Sequence, residues 1–294
     1  PGVLAAARLG GAASWLHVQD FEVEAAFATG LLSDTGRAGR AARAFEAWVL
    51  HHFDRVSTIS GPMMARLRDK GVPPERIVEF RNWANLDKIT PLSGPSPLKV
   101  ELGIETPHVA LYSGNLANKQ GLEILPEMAR HLAHRNDLTI AVCGDGPMRA
   151  PLQEMARDMP MIRFFPLQPL DRLSDLLGMA NVHLLPQIAG AADLVLPSKL
   201  TNMLASGRPV IATTDPDTAL GQEVEGAGLL TPPGDALALA AALEALLDDP
   251  DARARLGQVA RARALERWDM TAILSRLSGQ FHALAAPETQ SART

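Results

Sequence analysis

Six short apolar runs recur through the last two-thirds of the chain, most of them followed by a helical pattern. This alternation constrains the fold more than any other feature. The runs lie at His108–Ser113, Leu138–Cys143, 161–165, Val182–Leu185, Val210–Thr213 and 229–231. Runs that are apolar throughout belong to strands buried on both faces, and strands separated by helices run parallel. Helices are expected at 119–134, 170–179 and 236–247. The expected product is a complete doubly wound sheet.

The part before residue 91 alternates in the same way but is shorter. Strands are expected at 14–18, 56–59 and 77–80, and helices at 22–32 and Arg37–His52. Ser60 caps a further helix through Lys70, which Gly71 ends. On Arg37–His52, residues Phe45, Trp48, Val49 and His52 share one face, and Arg37, Arg40 and Arg43 line its first part. Three strands are fewer than a comparable domain needs. The chain also opens on a helix end with no basic leader, so it is expected to be cut at its N-terminus. Residues 91–97 (PLSGPSP) form the best linker. The expected domains are 1–90, 98–266, and a C-terminal segment, 267–294.

Length and charge narrow the function. The 294 residues, 47% of them hydrophobic, suffice for two domains. A net charge of −5 argues against a nucleic-acid partner. The single cysteine, Cys143, permits no internal disulfide, and a reducing, cytoplasmic setting is the simplest. No apolar run approaches the ~20 residues of a spanning helix. Trp15, Trp48, Trp83 and Trp268 read as core or interface residues.

Open parallel sheets bind ligands at the carboxyl ends of their strands. Three loops fall there. The first, 113–121, carries Gly114, Asn115, Lys119 and Gly121; the second is Gly144-Asp145-Gly146-Pro147. The third is the loop 194–197, with Leu194 and Pro197 at its ends, which leads into a helix. Ser198 is placed to cap that helix, Lys199 lies in its first turn, and Leu200, Met203 and Leu204 face a core. Gly207 and Pro209 end it. Free amides, the helix dipole and an ammonium group suit a diphosphate. Each loop taken alone is equally compatible with plain turn chemistry. Walker, GxGxxG, HExxH, CxxC and GxSxG patterns are all absent. His51-His52 lacks a third metal ligand. His17-Val18-Gln19-Asp20 ends the first strand, where His17 and Asp20 can orient a hydroxyl or take its proton; Asp20 can equally cap a helix.

Together these phrases resemble glycosyltransferase family 4. They are Ser113-Gly114-Asn115-Leu116 with Lys119-Gln120-Gly121, Gly144-Asp145-Gly146-Pro147, PSKLTNMLASGRPVIA from Pro197, and Arg267-Trp268-Asp269. The chain is most similar to the colanic-acid and exopolysaccharide fucosyltransferase-like branch, which shares HVQDFEVEAAFATGLL and LVLPSKLTNMLASGRPV. The resemblance implies the GT-B fold, two Rossmann-like domains facing across a cleft, the first incomplete here. It implies metal-independent transfer, with retention, from a nucleotide diphosphate sugar to a lipid-linked saccharide, without a further cofactor. It also implies a crossing back at 267–284 and a hinge at Asn82-Trp83-Ala84-Asn85-Leu86-Asp87. The family's paired glutamates align with Asn202 and, near Asp193 or Leu194, with no glutamate; Asp193 is the substitute one position away. Asn115 stands where the family has a phosphate-binding Arg, and Lys199 can replace the lost charge. Lipid-linked acceptors place the 37–53 helix at the inner membrane face. A nucleotide-sugar 2-epimerase and a non-catalytic nucleotide-sugar-binding module are the alternatives.

Overall fold

The computed structural model describes residues 1–21, 23, 24, 27, 36–188 and 196–285, Lys119 by its backbone only. It divides into two units: Pro1–Asn82 with Met270 onward, and Trp83–Asp269.

The first unit contains α1 (Gly2–Leu9), β1 (Trp15–Val18), α2 (Arg37–His52), β2 (Arg55–Thr58), α3 (Gly61–Asp69) and β3 (Ile77–Glu79), and takes back the last helix. Its strands form a parallel sheet in the order β1-β2-β3, with Val18 opposite Thr58 and Thr58 opposite Glu79. Ser60 caps α3 by accepting from the Met63 amide, and Gly71, at φ +83°, ends the turn that follows. The expected helix at 22–32 falls largely outside the described residues. Along α2 the buried positions are Gly39 and Leu50, while Phe45 is 54% exposed and Trp48 38%. The aromatic face of α2 is therefore an outer face. Trp83 is exposed too, and of the four tryptophans Trp268 is the fully buried one.

The second unit runs α4 (Pro97–Glu101), β4 (His108–Ser113), α5 (Ile124–His131), β5 (Leu138–Cys143), α6 (Arg149–Met155), β6 (Ile162–Phe165), α7 (Leu173–Gly178) and β7 (Val182–Leu185). Then come α8 (Lys199–Ala205), β8 (Val210–Thr213), α9 (Ala219–Val224), β9 (Gly228–Thr231), α10 (Ala236–Asp248) and α11 (Pro250–Arg267). The sheet is parallel, in the order β6-β5-β4-β7-β8-β9. Successive residues of β4 and β5 face opposite cores. Ala110, Tyr112, Ile140 and Val142 pack with α5, α6 and α10, while Val109, Leu111, Ala141 and Cys143 pack with α4 and α7.

Two elements differ from expectation. The helix expected at 119–134 begins at Ile124, because Gly121, at φ +61°, breaks the chain after a single 3-10 turn at Asn118–Gln120. The helix α11 was not anticipated. Its buried stripe is Gly257, Ala260 and Ala264, too small to give an apolar period. Those small residues permit close packing: a Cβ on Gly257 would sit 2.3 Å from the Gly207 carbonyl oxygen. Arg261 of α11 donates to the carbonyls of Ile89 at 2.7 Å and Ala205 at 2.8 Å. The last helix, α12 (Met270–Ala285), belongs to the first unit.

Candidate functional site

Strand order fixes where a ligand can enter the second unit. β4 pairs with β5 on one side and β7 on the other, so the chain reverses its winding there. Beyond such a switch point the loops from the two strands separate and leave a crevice. The loop after β4 holds Gly114, Asn115 and Gly121; the segment after β7 leads to Pro197, Ser198 and Lys199. Asp193 and Leu194, within that segment, lie outside the described residues.

Lys199 spans the switch point. It opens α8, and its Nζ reaches back to β4, 2.9 Å from the Tyr112 hydroxyl and 2.6 Å from the Gln120 side-chain carbonyl. The ammonium also lies 4.3 Å from the centroid of the Tyr112 ring. Its Nζ and Cδ pass 3.6 Å from where a Cβ on Gly114 would be, an ordinary contact, and it is the backbone at φ +137° that favours glycine there. Among the described residues no carboxylate lies within ion-pair distance. Burial without an anionic partner pulls the Lys199 pKa down to about 7. The Tyr112 hydroxyl donates to the Asn115 carbonyl at 2.7 Å and also contacts Gln120 Oε1, and burial raises its pKa.

The glycine loops lock onto each other. The Leu116 amide donates to the Asp145 carbonyl at 2.8 Å, and the Met148 amide to the Leu116 carbonyl at 2.9 Å. Cβ atoms on Gly144 and Gly146 would fall 1.9 Å and 2.5 Å from the carbonyl oxygens of Gly114 and Leu116. The Gly114 amide is bonded to the Cys143 carbonyl, the Gly144 amide to that of Phe165, and the Gly146 amide to Asp145 Oδ1. These glycines serve close approach between loops, and the positive charge of the crevice comes from the lysine. Arg149 ties the ends of β5 and β6 by donating to the carbonyls of Gly144 and Phe165.

Ser198 differs from expectation. Its backbone is already helical, at φ −57° and ψ −26°, and its hydroxyl makes no cap bond, since capping requires an extended residue there. Leu200, Met203 and Leu204 are fully buried, as expected, and Gly207 takes φ +69°. Asn202 is half-buried one turn after Lys199. At its far end α8 is fixed by Ser206, whose hydroxyl donates to the Met203 carbonyl at 2.6 Å and lies 3.0 Å from Nε2 of His183 in β7. Complete burial pushes the His183 pKa down to about 3.

The first unit carries His17 and Asp20 at the carboxyl end of β1. His17 Nδ1 lies 2.8 Å from Ser57 Oγ, which also accepts from Trp15 Nε1 at 2.8 Å. Gln19 Nε2 lies 2.7 Å from His17 Nε2. An amide nitrogen can only donate, so His17 carries its proton on Nδ1, and its Nε2 lone pair accepts from Gln19. Burial lowers its pKa, the Ser57 bond opposing in part, and the ring is neutral at pH 7. Asp20 is half-buried at the bend after β1. His51 bonds the Ala47 carbonyl within α2. Among the described residues no cluster of three or more His, Cys, Asp or Glu is placed to hold a metal ion.

Tyr112, Gln120, Arg149 and His183 were not singled out from the sequence. Tyr112 carried a signal, since a tyrosine in a core strand must find a partner for its hydroxyl. The other three carried none.

A two-unit parallel α/β architecture with a cationic switch-point crevice defines a class of proteins built to take an anionic ligand at the carboxyl ends of their strands. Comparison with known proteins narrows this. Residues 97–263 match the family described as Glycosyl transferases group 1, and residues 1–83 match a Glycosyl transferase 4-like domain. The chain belongs to the group 1 glycosyltransferase family. Over 233 residues it is 41% identical to the putative colanic acid biosynthesis glycosyl transferase WcaI of Escherichia coli K12, covering 76% of this chain and 57% of that protein. It is 26% identical to the alpha-D-kanosaminyltransferase of Streptomyces kanamyceticus, over 64% of this chain and 48% of the relative. The chain thus spans about half the length of the curated relatives it matches. In fold it is similar to Anabaena Alr3699/HepE in complex with UDP, with a TM-score of 0.78 at 18% identity, covering 95% of this chain and 75% of the other. It is likewise similar to WaaG, a glycosyltransferase of lipopolysaccharide biosynthesis, with a TM-score of 0.71 at 17% identity, covering 91% and 74%. These neighbours share the GT-B fold.

Proposed function

We propose that this chain carries the donor-binding machinery of a retaining glycosyltransferase. Its donor is a nucleotide diphosphate sugar, and its product a saccharide of exopolysaccharide or cell-surface glycan synthesis. The observation that carries the reading is the Lys199 ammonium, largely buried at the switch point with no carboxylate beside it among the described residues. A buried cation without an anion is unfavourable, and a ligand diphosphate relieves it. The relatives support the class: WcaI is described as a putative colanic acid biosynthesis glycosyl transferase, and HepE structures hold UDP and UDP-glucose.

The chemistry follows from charge. The acceptor hydroxyl attacks the anomeric carbon on the leaving-group side, the bond from that carbon to the diphosphate oxygen breaks, and the hydroxyl proton passes to the departing diphosphate oxygen beside it. Negative charge grows on the departing diphosphate, where an ammonium in a water-poor site stabilises it strongly. Lys199 is assigned that role, with Lys119 and the segment containing Leu194, Pro197 and Ser198 contributing to donor binding. Gly114, Asn115, Gly121, Gly144, Asp145 and Gly146 shape the crevice. Asn202 is assigned to the donor ribose and Asp193 to the sugar. His17, whose Nε2 a hydroxyl reaches on displacing the Gln19 amide, and Asp20 are assigned to a lipid-linked acceptor. The outer face of α2, with Arg37, Phe45 and Trp48, is assigned to an anionic membrane surface. No described helix is long and apolar enough to cross a membrane.

The test is thermal-shift screening with UDP-, GDP- and dTDP-sugars, followed by a product assay with the labelled sugar that binds. A bound ligand raises the melting temperature by mass action. Transfer to a lipid-linked saccharide supports the reading, an epimer replaces it with isomerase activity, and absence of any shift refutes it.

A further inference from the structure

An ammonium has three N–H donors, and the surroundings of Lys199 take two of them. One goes to the Tyr112 hydroxyl and one to Gln120 Oε1. Tyr112 can accept because its own single proton goes elsewhere, to the Asn115 carbonyl or to Gln120 Oε1, both of which lie within its reach. Its ring face adds an attraction for the same cation. Gln120 arrives by a separate route: it closes the 3-10 turn after β4, and Gly121 ends that turn in the left-handed conformation. Three segments of the second unit therefore converge on one nitrogen: β4, the turn after it, and α8.

The chemical character of the two holders is informative. Both are neutral acceptors. A carboxylate at position 120 would neutralise the ammonium and repel a diphosphate, and an apolar side chain would leave a buried N–H without an acceptor. A neutral amide avoids both and keeps the charge available. We propose that Tyr112 and Gln120 are positioning residues that hold the Lys199 ammonium at the β4 turn, with its third N–H, which has no acceptor among the described residues, turned to a diphosphate oxygen. The identity of that anion rests on the donor-binding reading; the positioning does not.

Among the described residues Tyr112 is the titratable side chain in contact with Lys199, and burial keeps its hydroxyl protonated. Asp145, on the neighbouring loop, is turned to the Gly146 amide at 2.8 Å. Among the described residues, burial is what lowers the Lys199 pKa, and the two acceptors are the groups that favour its charged form against it.

The experiment measures that titration directly in the unliganded chain. Trace acetic anhydride labels unprotonated amines, and mass spectrometry of the Lys199 peptide across pH 5–10 gives its midpoint. Removing an acceptor, in Tyr112→Phe or Gln120→Met, should lower the midpoint by about half a pH unit or more; Gln120→Glu should raise it by about one or more. All three should weaken UDP-glucose binding about tenfold or more, the first two by losing the held cation and the third by repulsion. Circular dichroism establishes folding, and Gln120 is a half-buried turn residue whose substitution leaves the sheet alone. Midpoints unmoved in folded variants overturn the positioning, even if UDP-glucose affinity falls. If the midpoints move as expected but the parent chain does not bind UDP-glucose, the positioning stands and the donor reading for that nucleotide is what fails.

Discussion

Gly144→Ala tests how the two glycine loops are held. At φ +152° the new side chain adopts a backbone conformation that costs about 1–3 kcal/mol. Its Cβ would also lie 1.9 Å from the Gly114 carbonyl oxygen, a backbone atom. To reach ordinary contact that carbonyl must retreat by about 1.5 Å, since repulsion is steep below contact distance. The Gly114 amide is bonded to the Cys143 carbonyl at 2.9 Å, so the retreat breaks a backbone hydrogen bond worth about 1 kcal/mol. The expected loss in the second unit is about 2–4 kcal/mol. Gly234→Ala is the control: φ there is +78°, but nothing lies within 4 Å of its Cβ. It should cost only the dihedral strain, about 1–2 kcal/mol. Hydrogen exchange of the β4 and β5 amides reads the difference, because their protection reports local opening free energy. UDP-glucose titration should show lost affinity for Gly144→Ala alone. Equal protection and equal affinity in the two variants would refute the interlocked-loop argument.

UDP-glucose affinity should fall roughly tenfold per pH unit as pH rises above about 7, because the free Lys199 loses its proton there and the bound form keeps it. Lys199→Arg should flatten the profile, and Lys199→Ala should cost about 1.5–3 kcal/mol of binding; a profile unchanged in Lys199→Arg contradicts the assignment. Since the Lys199 pKa lies below its ordinary value in the folded chain, the unfolded chain binds more protons between about pH 7 and 10.5. Lys199 thus makes the unliganded protein more stable, not less, as pH rises through that window. Ser60→Ala should destabilise the first unit by about 1 kcal/mol in thermal unfolding, as the Met63 amide loses its cap. On α2, Arg37→Glu/Arg40→Glu/Arg43→Glu should abolish sedimentation with anionic vesicles at low salt, each arginine contributing about 1 kcal/mol; undiminished pelleting rules this helix out as the membrane contact.

The parallel sheet of the second unit was legible because its strands are buried on both faces, and composition alone marks such runs. His108–Ser113 and Leu138–Cys143 were read with their observed limits. The helix α11 was not legible, because its packing uses Gly257, Ala260 and Ala264, which leave no hydrophobic period. The start of α5 was misread because a left-handed Gly121 inside a helical pattern resembles a tolerated glycine. At the candidate site, the place of Lys199 at the head of a helix was legible, and it opens α8 in the structure. What it touches was not found, because Tyr112 and Gln120 meet it only through the sheet order. Ser198 shows the converse: a residue type suited to capping, in a backbone conformation that prevents it.

Tyr112 is the single tyrosine of the chain, and it lies against the Lys199 ammonium. Nature has thereby left one phenol ring as a private reporter of this crevice. Biosynthetic replacement with 3-fluorotyrosine would give a single fluorine resonance, with nothing elsewhere in the chain to overlap it. Charging Lys199, or drawing its ammonium toward a bound anion, changes the electric field at that ring. The protonation state of the lysine and the arrival of a ligand can then be followed in the same spectrum, without labelling the ligand.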